Sequence, residues 1–346
     1  MGRKLKIVAD SAIPFLHGVL EPYAELLYKE GKEICREDVA DADAMITRTR
    51  TRCDEALLAG SKVSVIATAT IGMDHIDIDW CRKAGIEVHN AAGCNAGGVM
   101  QYVFSALYGL AAHNAINLQD KVFGIVGVGN VGKRVEEMAR HLGFEVLLCD
   151  PPRASAEGSE AFVDLDYLLQ NSDIVTMHTP LDDSTRGMAD ETFFLKMKLG
   201  AIFINASRGE VVDDAALIEA VPKMGGVIID TWNNEPDINL SLLDMADIAT
   251  PHIAGYSYQG KMNGTAMAVR AVARRFGIWQ LYDFYPSKLP EDVPQKLDLR
   301  GKTQGQIAAT FQYNYPVFTD DFMFRTNPKD FERLREQYKY RREIYI

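Results

Sequence analysis

Three short segments of this chain carry residue types that can do chemistry together: Asn205-Ala206-Ser207-Arg208-Gly209, Asn233-Asn234-Glu235-Pro236 and Pro251-His252-Ile253-Ala254-Gly255. Each follows a run that reads as a buried strand. In doubly wound sheets ligands sit beyond the carboxyl ends of the strands, so the three points can converge. The types fit hydride transfer to or from a 2-hydroxy acid. A guanidinium, Arg208, can hold a carboxylate through two parallel hydrogen bonds. An imidazole, His252, can take the hydroxyl proton as a hydride leaves the same carbon. A carboxylate, Glu235, set against that imidazole favours its protonated form and fixes its orientation. Singly, each is commonplace, since a histidine after a strand is usually structural and a glutamate before proline usually marks a turn. Their weight comes from what precedes them.

Residues 121–150, KVFGIVGVGNVGKRVEEMARHLGFEVLLCD, run strand, glycine-rich turn, amphipathic helix, strand and acid. The apolar run Val122 to Val126 leads into Gly127-x-Gly129-x-x-Gly132, a helix is expected to about Leu142, and Val146 to Cys149 ends at Asp150. This is the order and length of a dinucleotide-binding unit. Gly127 lets the chain turn, Gly129 lets backbone approach a pyrophosphate, and Gly132 lets the helix pack closely on the strand. The helix N-terminus presents unpaired N–H groups to the phosphates. Asp150 stands where a carboxylate accepts hydrogen bonds from the adenosine ribose. It would repel a 2′-phosphate, which favours NAD over NADP.

At 346 residues the chain is long enough for two or three domains with sizeable cores, and its 47% hydrophobic and 25% charged residues are ordinary for a globular enzyme. No apolar run is long enough for a membrane span, and the N-terminus moves straight into a strand without a secretory pattern, so a cytoplasmic location is expected. The five cysteines are scattered with no C-x-x-C pair, which implies reduced thiols and no metal site. A net charge of −11 argues against nucleic acid and anionic membrane as partners. It also means that an anionic substrate needs a local basic cluster. Thr47-Arg48-Thr49-Arg50-Thr51-Arg52 offers one: if extended, it puts three arginines on one face and three threonines on the other, a combination suited to a phosphate monoester.

Further strands are expected at 5–9, 43–47, 63–69 and 86–89, with helical stretches around 20–30, 54–59 and 76–84. A long apolar helix starts after Asn95 as its N-cap. Strands at 173–178, 201–206, 226–230 and 247–250 then alternate with helices near 165–170, 191–197 and 213–221. The reading is an α/β fold of two doubly wound, Rossmann-like lobes with a cleft between them and a small α+β C-terminal dimerisation region. Residues 1–94 form a substrate-binding lobe completed by a helix at about 260–282, residues 95–258 the NAD-binding domain, and residues 286–346 the dimerisation region of a homodimer. Pro286, Pro290 and Pro294 break the chain before the tail. TQGQIAATFQYNY and PKDFERLREQYKYRREIY read as two helices, the second capped by Asn327 with Pro328 at its first position. The closing Ile-Tyr-Ile suits an edge strand or a partner contact.

The pattern resembles the D-isomer-specific 2-hydroxyacid dehydrogenases, through GVGNVG, HTPL (His178 to Leu181), INASRGEVVD (Ile204 to Asp213) and TPHIAG (Thr250 to Gly255). GCNA (Gly93 to Ala96), LLCDPPR (Leu147 to Arg153) and TPHIAGYSYQGKMNGT (Thr250 to Thr265) narrow the resemblance to a branch acting on a small phosphorylated 2-hydroxy acid. The resemblance implies that Arg208 clamps the substrate, Glu235 partners the histidine and His252 is the acid/base. With the topology, it also implies that Asn130 and Val131 lie over the pyrophosphate and Thr179 edges the adenosine. Asp230 then meets the nicotinamide carboxamide, with Ala206, Arg208 and Gly255 near that ring. Arg48, Thr49, Thr70, Gly72 and Tyr256 are the expected substrate contacts. The chain departs from the family pattern at Trp232-Asn233-Asn234, before Glu235, where a Glu-Gly-like pair is usual, and its tail reads as shorter. Two rival readings are another hydroxyacid dehydrogenase, such as one acting on 3-phosphoglycerate, and a non-catalytic NAD-sensing binding protein.

Overall fold

The computed structural model describes residues 3–286 and 293–346, so Pro290 lies outside the described residues. β1 (Leu5–Asp10), β2 (Ala24–Lys29), β3 (Ala44–Thr47), β4 (Val65–Thr68) and β5 (Glu87–His89) form a parallel sheet in the order β2-β1-β3-β4-β5. β6 (Val122–Val126), β7 (Glu145–Cys149), β8 (Ile174–Met177), β9 (Ile202–Asn205), β10 (Gly226–Ile229) and β11 (Ile248–Ala249) form a second, in the order β11-β10-β9-β8-β6-β7. β3, β4, β8, β9 and β10 are buried at every residue. Parallel sheets covered on both faces need apolar side chains on both, which is why these strands read as unbroken apolar runs. Along β9, Ile202 and Ile204 face one core while Phe203 faces another on the opposite side of the sheet.

The chain forms two compact units: Met1–Asn95 with Tyr258–Val293, and Ala96–Ser257 with Pro294–Ile346. In each, the strand order reverses direction beside the first strand. β1 has β2 on one side and β3 on the other; β6 has β7 on one side and β8 on the other. Loops leaving the strands that flank such a reversal diverge to opposite faces and leave a crevice where ligands bind.

Several elements differ from the sequence expectation. The stretch expected to be helical around 20–30 contains β2, a half-exposed edge strand paired residue by residue with β1. Its Ala-Glu-Leu-Leu-Tyr-Lys composition favours helix, and pairing with β1 overrides that local preference. The helix expected to reach residue 282 stops at Phe276, where Gly277 takes a left-handed conformation (φ +70°). Residues 47–52 do not stay extended. β3 ends at Thr47, a turn follows, Thr51 is buried with its hydroxyl donating to the Gly31 carbonyl (2.9 Å), and Arg52 pairs with Asp54 (2.9 Å). The arginines therefore do not share a face by strand alternation.

The tail holds an additional helix. Gln304–Asn314 opens on a reciprocal cap between Thr303 and Gln306, as its sequence suggests, but Val317–Thr326 is helical as well. The last expected helix is short, a 3₁₀ turn at Pro328–Asp330 running into Phe331–Glu336. The chain then extends to β13 (Ile344–Tyr345), paired with β12 (Gln295–Lys296). The tail packs within the second unit: fully buried Phe311 lies 6.0 Å from the Phe104 ring and 5.6 Å from the Tyr108 ring, both on the helix Ala96–His113. Phe311→Ala should therefore destabilise that unit by about 3–5 kcal/mol, measured by urea unfolding. An unchanged midpoint would show that the tail does not contribute to this core.

Candidate active site

At the end of β6, Gly127 turns with φ +86°, and a Cβ there would lie 2.7 Å from the His178 carbonyl carbon. Only glycine fits both constraints. A Cβ on Gly132, one turn into the helix Asn130–His141, would overlap the Gly127 carbonyl. Gly129 differs from both: it is exposed, and among the described residues nothing beyond its own stretch of chain lies within 4 Å of where its Cβ would be. It also caps the helix without a side chain, so the first N–H groups, next to Asn130 and Val131, are left for a ligand. Asp150 braces this turn, its Oδ2 accepting the Val128 N–H (2.7 Å) and its Oδ1 the Arg153 N–H (3.0 Å). Carboxylate oxygens accept more than one bond, so ribose hydroxyls can still be bound there. Arg153 returns a bond to the Val128 carbonyl (2.8 Å), a brace that the sequence reading missed.

Across the reversal, β8 leads to His178 and Thr179. The His178 Nδ1 and Thr179 Oγ1 are buried without a partner among the described residues, and burial pushes the His178 imidazole down to about 3. Orphaned polar atoms beside an open glycine and an uncapped helix fit a dinucleotide. His178 Nε2 shares a hydrogen bond with the Thr176 hydroxyl (3.0 Å).

The fold brings the His252 and Glu235 side chains into hydrogen-bond contact. His252 Nδ1 lies 2.8 Å from Glu235 Oε2 and 3.1 Å from Oε1. Burial presses the Glu235 carboxyl upward, but the His252 charge and hydrogen bond, with the Trp232 N–H (2.9 Å), outweigh it and hold the carboxyl below its usual range. With Nδ1 donating to the carboxylate, Nε2 is the nitrogen left to accept a proton.

Asp230 sets this geometry. It is buried, its Oδ1 accepting the Ile253 N–H (2.8 Å) and the Thr250 hydroxyl (2.6 Å), its Oδ2 the Ala254 N–H (2.9 Å). Its own carbonyl accepts the His252 N–H (2.7 Å). His252 consequently sits at φ +54°, a conformation that residues other than glycine take at a cost and keep only where the surroundings enforce it. The Asp230 side chain thus holds the histidine loop, a role not visible in the sequence.

Arg208 follows β9 and donates to the Ser207 carbonyl (2.8 Å), while Asn205 Nδ2 holds the Arg208 carbonyl (3.0 Å). A Cβ on the next residue, Gly209, would overlap the Trp232 carbonyl and the Asn233 nitrogen. The arginine loop and the glutamate loop are therefore in backbone contact. Trp232 is buried and donates from its indole to the Thr250 carbonyl (2.9 Å), tying the glutamate loop to the histidine loop. Asn233, part of the departure from the family pattern, donates to Val212 O (3.0 Å) and Asp214 Oδ1 (2.6 Å), which secures the same junction. Half-buried Ala206 and Gly255 flank these loops in sequence. Tyr256 packs edge-on against the rings of Tyr338 and Tyr340, at 5.9 and 6.4 Å.

In the first unit, Arg48 donates across the β1–β3 reversal to the Ala12 carbonyl (3.2 Å), and Thr49 is exposed beside it. The Thr70 hydroxyl shares a bond with the Thr68 hydroxyl (2.6 Å) and reaches the Gly72 carbonyl at 3.3 Å. Among the described residues no cluster of three or more His, Cys, Asp or Glu side chains is placed to hold a metal ion.

Residues 106–254 match the family description "D-isomer specific 2-hydroxyacid dehydrogenase, NAD binding domain". The chain is 44% identical to erythronate-4-phosphate dehydrogenase of Bacteroides fragilis, over 98% of this chain and 97% of that one. Among solved structures it is similar to an NAD+-bound 3-phosphoglycerate dehydrogenase of Entamoeba histolytica, with 27% identity, 83% of this chain, 100% of that chain and TM-score 0.68. It is also similar to D-lactate dehydrogenase of Aquifex aeolicus complexed with NAD and lactic acid, with 26% identity, 80% of this chain, 97% of that chain and TM-score 0.67.

The Gly209–Trp232 contact makes a direct prediction. Gly209→Ala should displace the Arg208 loop from the Glu235 loop and lower kcat/KM about 100-fold, as small misplacements of a reacting geometry do. NAD binding, measured by fluorescence titration, should remain. Unchanged kcat/KM would show that the two loops are independent.

Proposed function

This chain belongs to the D-isomer specific 2-hydroxyacid dehydrogenase family, and from that premise we propose that it oxidises the 2-hydroxyl of 4-phospho-D-erythronate with NAD. The product is (R)-3-hydroxy-2-oxo-4-phosphooxybutanoate, for pyridoxal 5′-phosphate biosynthesis. The observation that carries the reading is the His252–Glu235 pair at 2.8 Å, set in a unit whose glycine-rich turn is open to a dinucleotide.

Arg208 holds the substrate carboxylate and keeps C2 in place. His252 Nε2 takes the proton of the 2-hydroxyl, and Glu235 steadies the imidazolium that results. Bound NAD would supply the acceptor for the hydride that leaves C2. Gly127, Gly129, Asn130, Val131 and Gly132 hold its diphosphate, Asp150 and Thr179 its adenosine, and Ala206, Asp230 and Gly255 lie toward its nicotinamide. Asp230 already accepts three bonds, two on Oδ1 and one on Oδ2, and the second lone pair of Oδ2 is what it offers a carboxamide. Arg48, Thr49, Thr70, Gly72 and Tyr256 bind the substrate, with Arg48 supplying the positive charge for its phosphate in a chain of net charge −11.

We assign the protein to the cytoplasm; among the described residues no helix is long and apolar enough to cross a membrane. We also assign a homodimer formed through the tail. The support is the large side chains that the tail helices leave exposed, Tyr313 (87%), Phe322 (70%) and Met323 (50%).

Steady-state assays should give a higher kcat/KM with 4-phospho-D-erythronate than with 3-phosphoglycerate, and the reverse ranking would reassign the substrate. His252→Ala should lower kcat by about 10²–10⁴-fold with NAD binding retained. Wild-type turnover in that variant would favour a nucleotide-sensing role instead. Light scattering should report a dimer for the wild type and a monomer for the double variant Tyr313→Asp/Phe322→Asp; a dimer in both would place the interface elsewhere.

A further inference from the structure

The segment after His252 is gripped from two sides, and only one grip belongs to the dinucleotide-binding sheet. Asp230 takes the N–H groups of Ile253 and Ala254. The carbonyls of the same two residues turn the opposite way, and both are met by Arg341, from the tail. Arg341 Nη1 donates to the Ile253 carbonyl (3.1 Å) and the Tyr256 carbonyl (3.3 Å); Nη2 donates to the Gly98 carbonyl (3.0 Å) and to the Ala254 carbonyl. The guanidinium is buried, lies 4.1 Å from the centre of the Tyr315 ring, and stands 3.1 Å from the Tyr338 hydroxyl. The backbone of Arg341 forms a bridge with Ser257, and two residues on, Glu343 accepts the Ser257 hydroxyl (2.6 Å).

The peptide unit Ile253–Ala254 is thus suspended between a carboxylate on its N–H side and a guanidinium on its carbonyl side. Carbonyl oxygens aimed at one point repel one another unless a cation lies between them, and buried carbonyls left without donors are costly. Guanidinium is the side chain suited to this task, because its planar fork serves several acceptors at once while staying charged. The residue before this peptide unit is His252, held at φ +54°. Its ring reaches Glu235 only if that backbone stays where it is.

We infer that Arg341 is a positioning residue for the reaction, clamping the carbonyls that follow His252 so that the imidazole keeps its register on Glu235. The inference rests on the reading of His252 as the acid/base. Arg341 touches neither substrate nor nucleotide on this account and acts through the loop alone.

The test uses the full-length protein with three substitutions: Arg341→Met, which keeps the apolar stem; Arg341→Lys, which keeps the charge without the fork; and His252→Gln as control. For Arg341→Met the expected result is a fall in kcat of about 10- to 100-fold. KM for the hydroxy acid should stay within about threefold, NAD affinity by fluorescence titration should be unchanged, and the rising limb of kcat against pH should be displaced. Arg341→Lys should fall between Arg341→Met and wild type in kcat and in the position of that limb. If Arg341→Met fails to fold, the same readouts on Arg341→Lys decide. Wild-type kcat and an unmoved pH limb in the arginine variants, beside an inactive His252→Gln, would overturn the clamp and leave the acid/base reading intact. So would parallel losses of NAD affinity and kcat with the pH limb in place, the mark of a merely structural role. An active His252→Gln would overturn the acid/base reading and the clamp together.

Discussion

The Asp230 carboxylate is the point on which the site depends. It is almost wholly buried, and burial raises its carboxyl, against which the His252 charge and the bonds from Thr250, Ile253 and Ala254 act. A buried carboxylate of this kind persists only when fully partnered, and its partners here are the backbone of the histidine loop. The side chain gathers residues 250, 253 and 254, and the main-chain carbonyl of the same residue fixes the His252 nitrogen. One aspartate at the end of β10 thus shapes the loop that follows β11. Behind it, the Thr250 and Tyr102 hydroxyls share a bond (2.8 Å), which ties this group to the long buried helix Ala96–His113.

Around that centre, loops from neighbouring strands are locked to one another by close backbone approach and by Trp232. Gly209 admits Trp232, the indole reaches Thr250, and the Trp232 N–H reaches Glu235. The edge of the sheet is managed in the same spirit. The Ala249 N–H on the edge strand β11 is accepted by Asp321 (2.7 Å), and Arg325 pairs with Asp321 (2.9 Å) while donating to the carbonyls of Leu243 and Ala246. A tail helix thereby closes an open strand edge three residues before the histidine.

The sheets were legible in the sequence because their signals are local. Parallel strands buried on both faces announce themselves as apolar runs, and glycines that must turn or admit backbone cannot be disguised. Arg208, Glu235 and His252 stood out because each lies in a polar segment after such a run, and the fold sets the last two side by side. What was not legible depends on contacts distant in the chain. β2 has the composition of a helix and becomes a strand only by lying beside β1. Arg153, Asp321, Arg325, Arg341 and Glu343 read as ordinary surface charges until the fold buries them or sets them against backbone. The alternating arginines after β3 read as a ribbon, yet Thr51 is drawn inward to Gly31 and breaks it. Trp232 and Asn233 stood out only as departures from the family pattern, and both prove to be fastenings between loops.

Arg341 lies 88 positions beyond Ile253, one of the carbonyls it meets. On the ribosome, the strands of the second sheet, the glycine-rich turn and the imidazole all emerge before the guanidinium that braces the histidine loop. Domains form as units from the N-terminal side during translation. The second unit includes Pro294–Ile346, so its core and the brace on the histidine loop are completed together, with that segment.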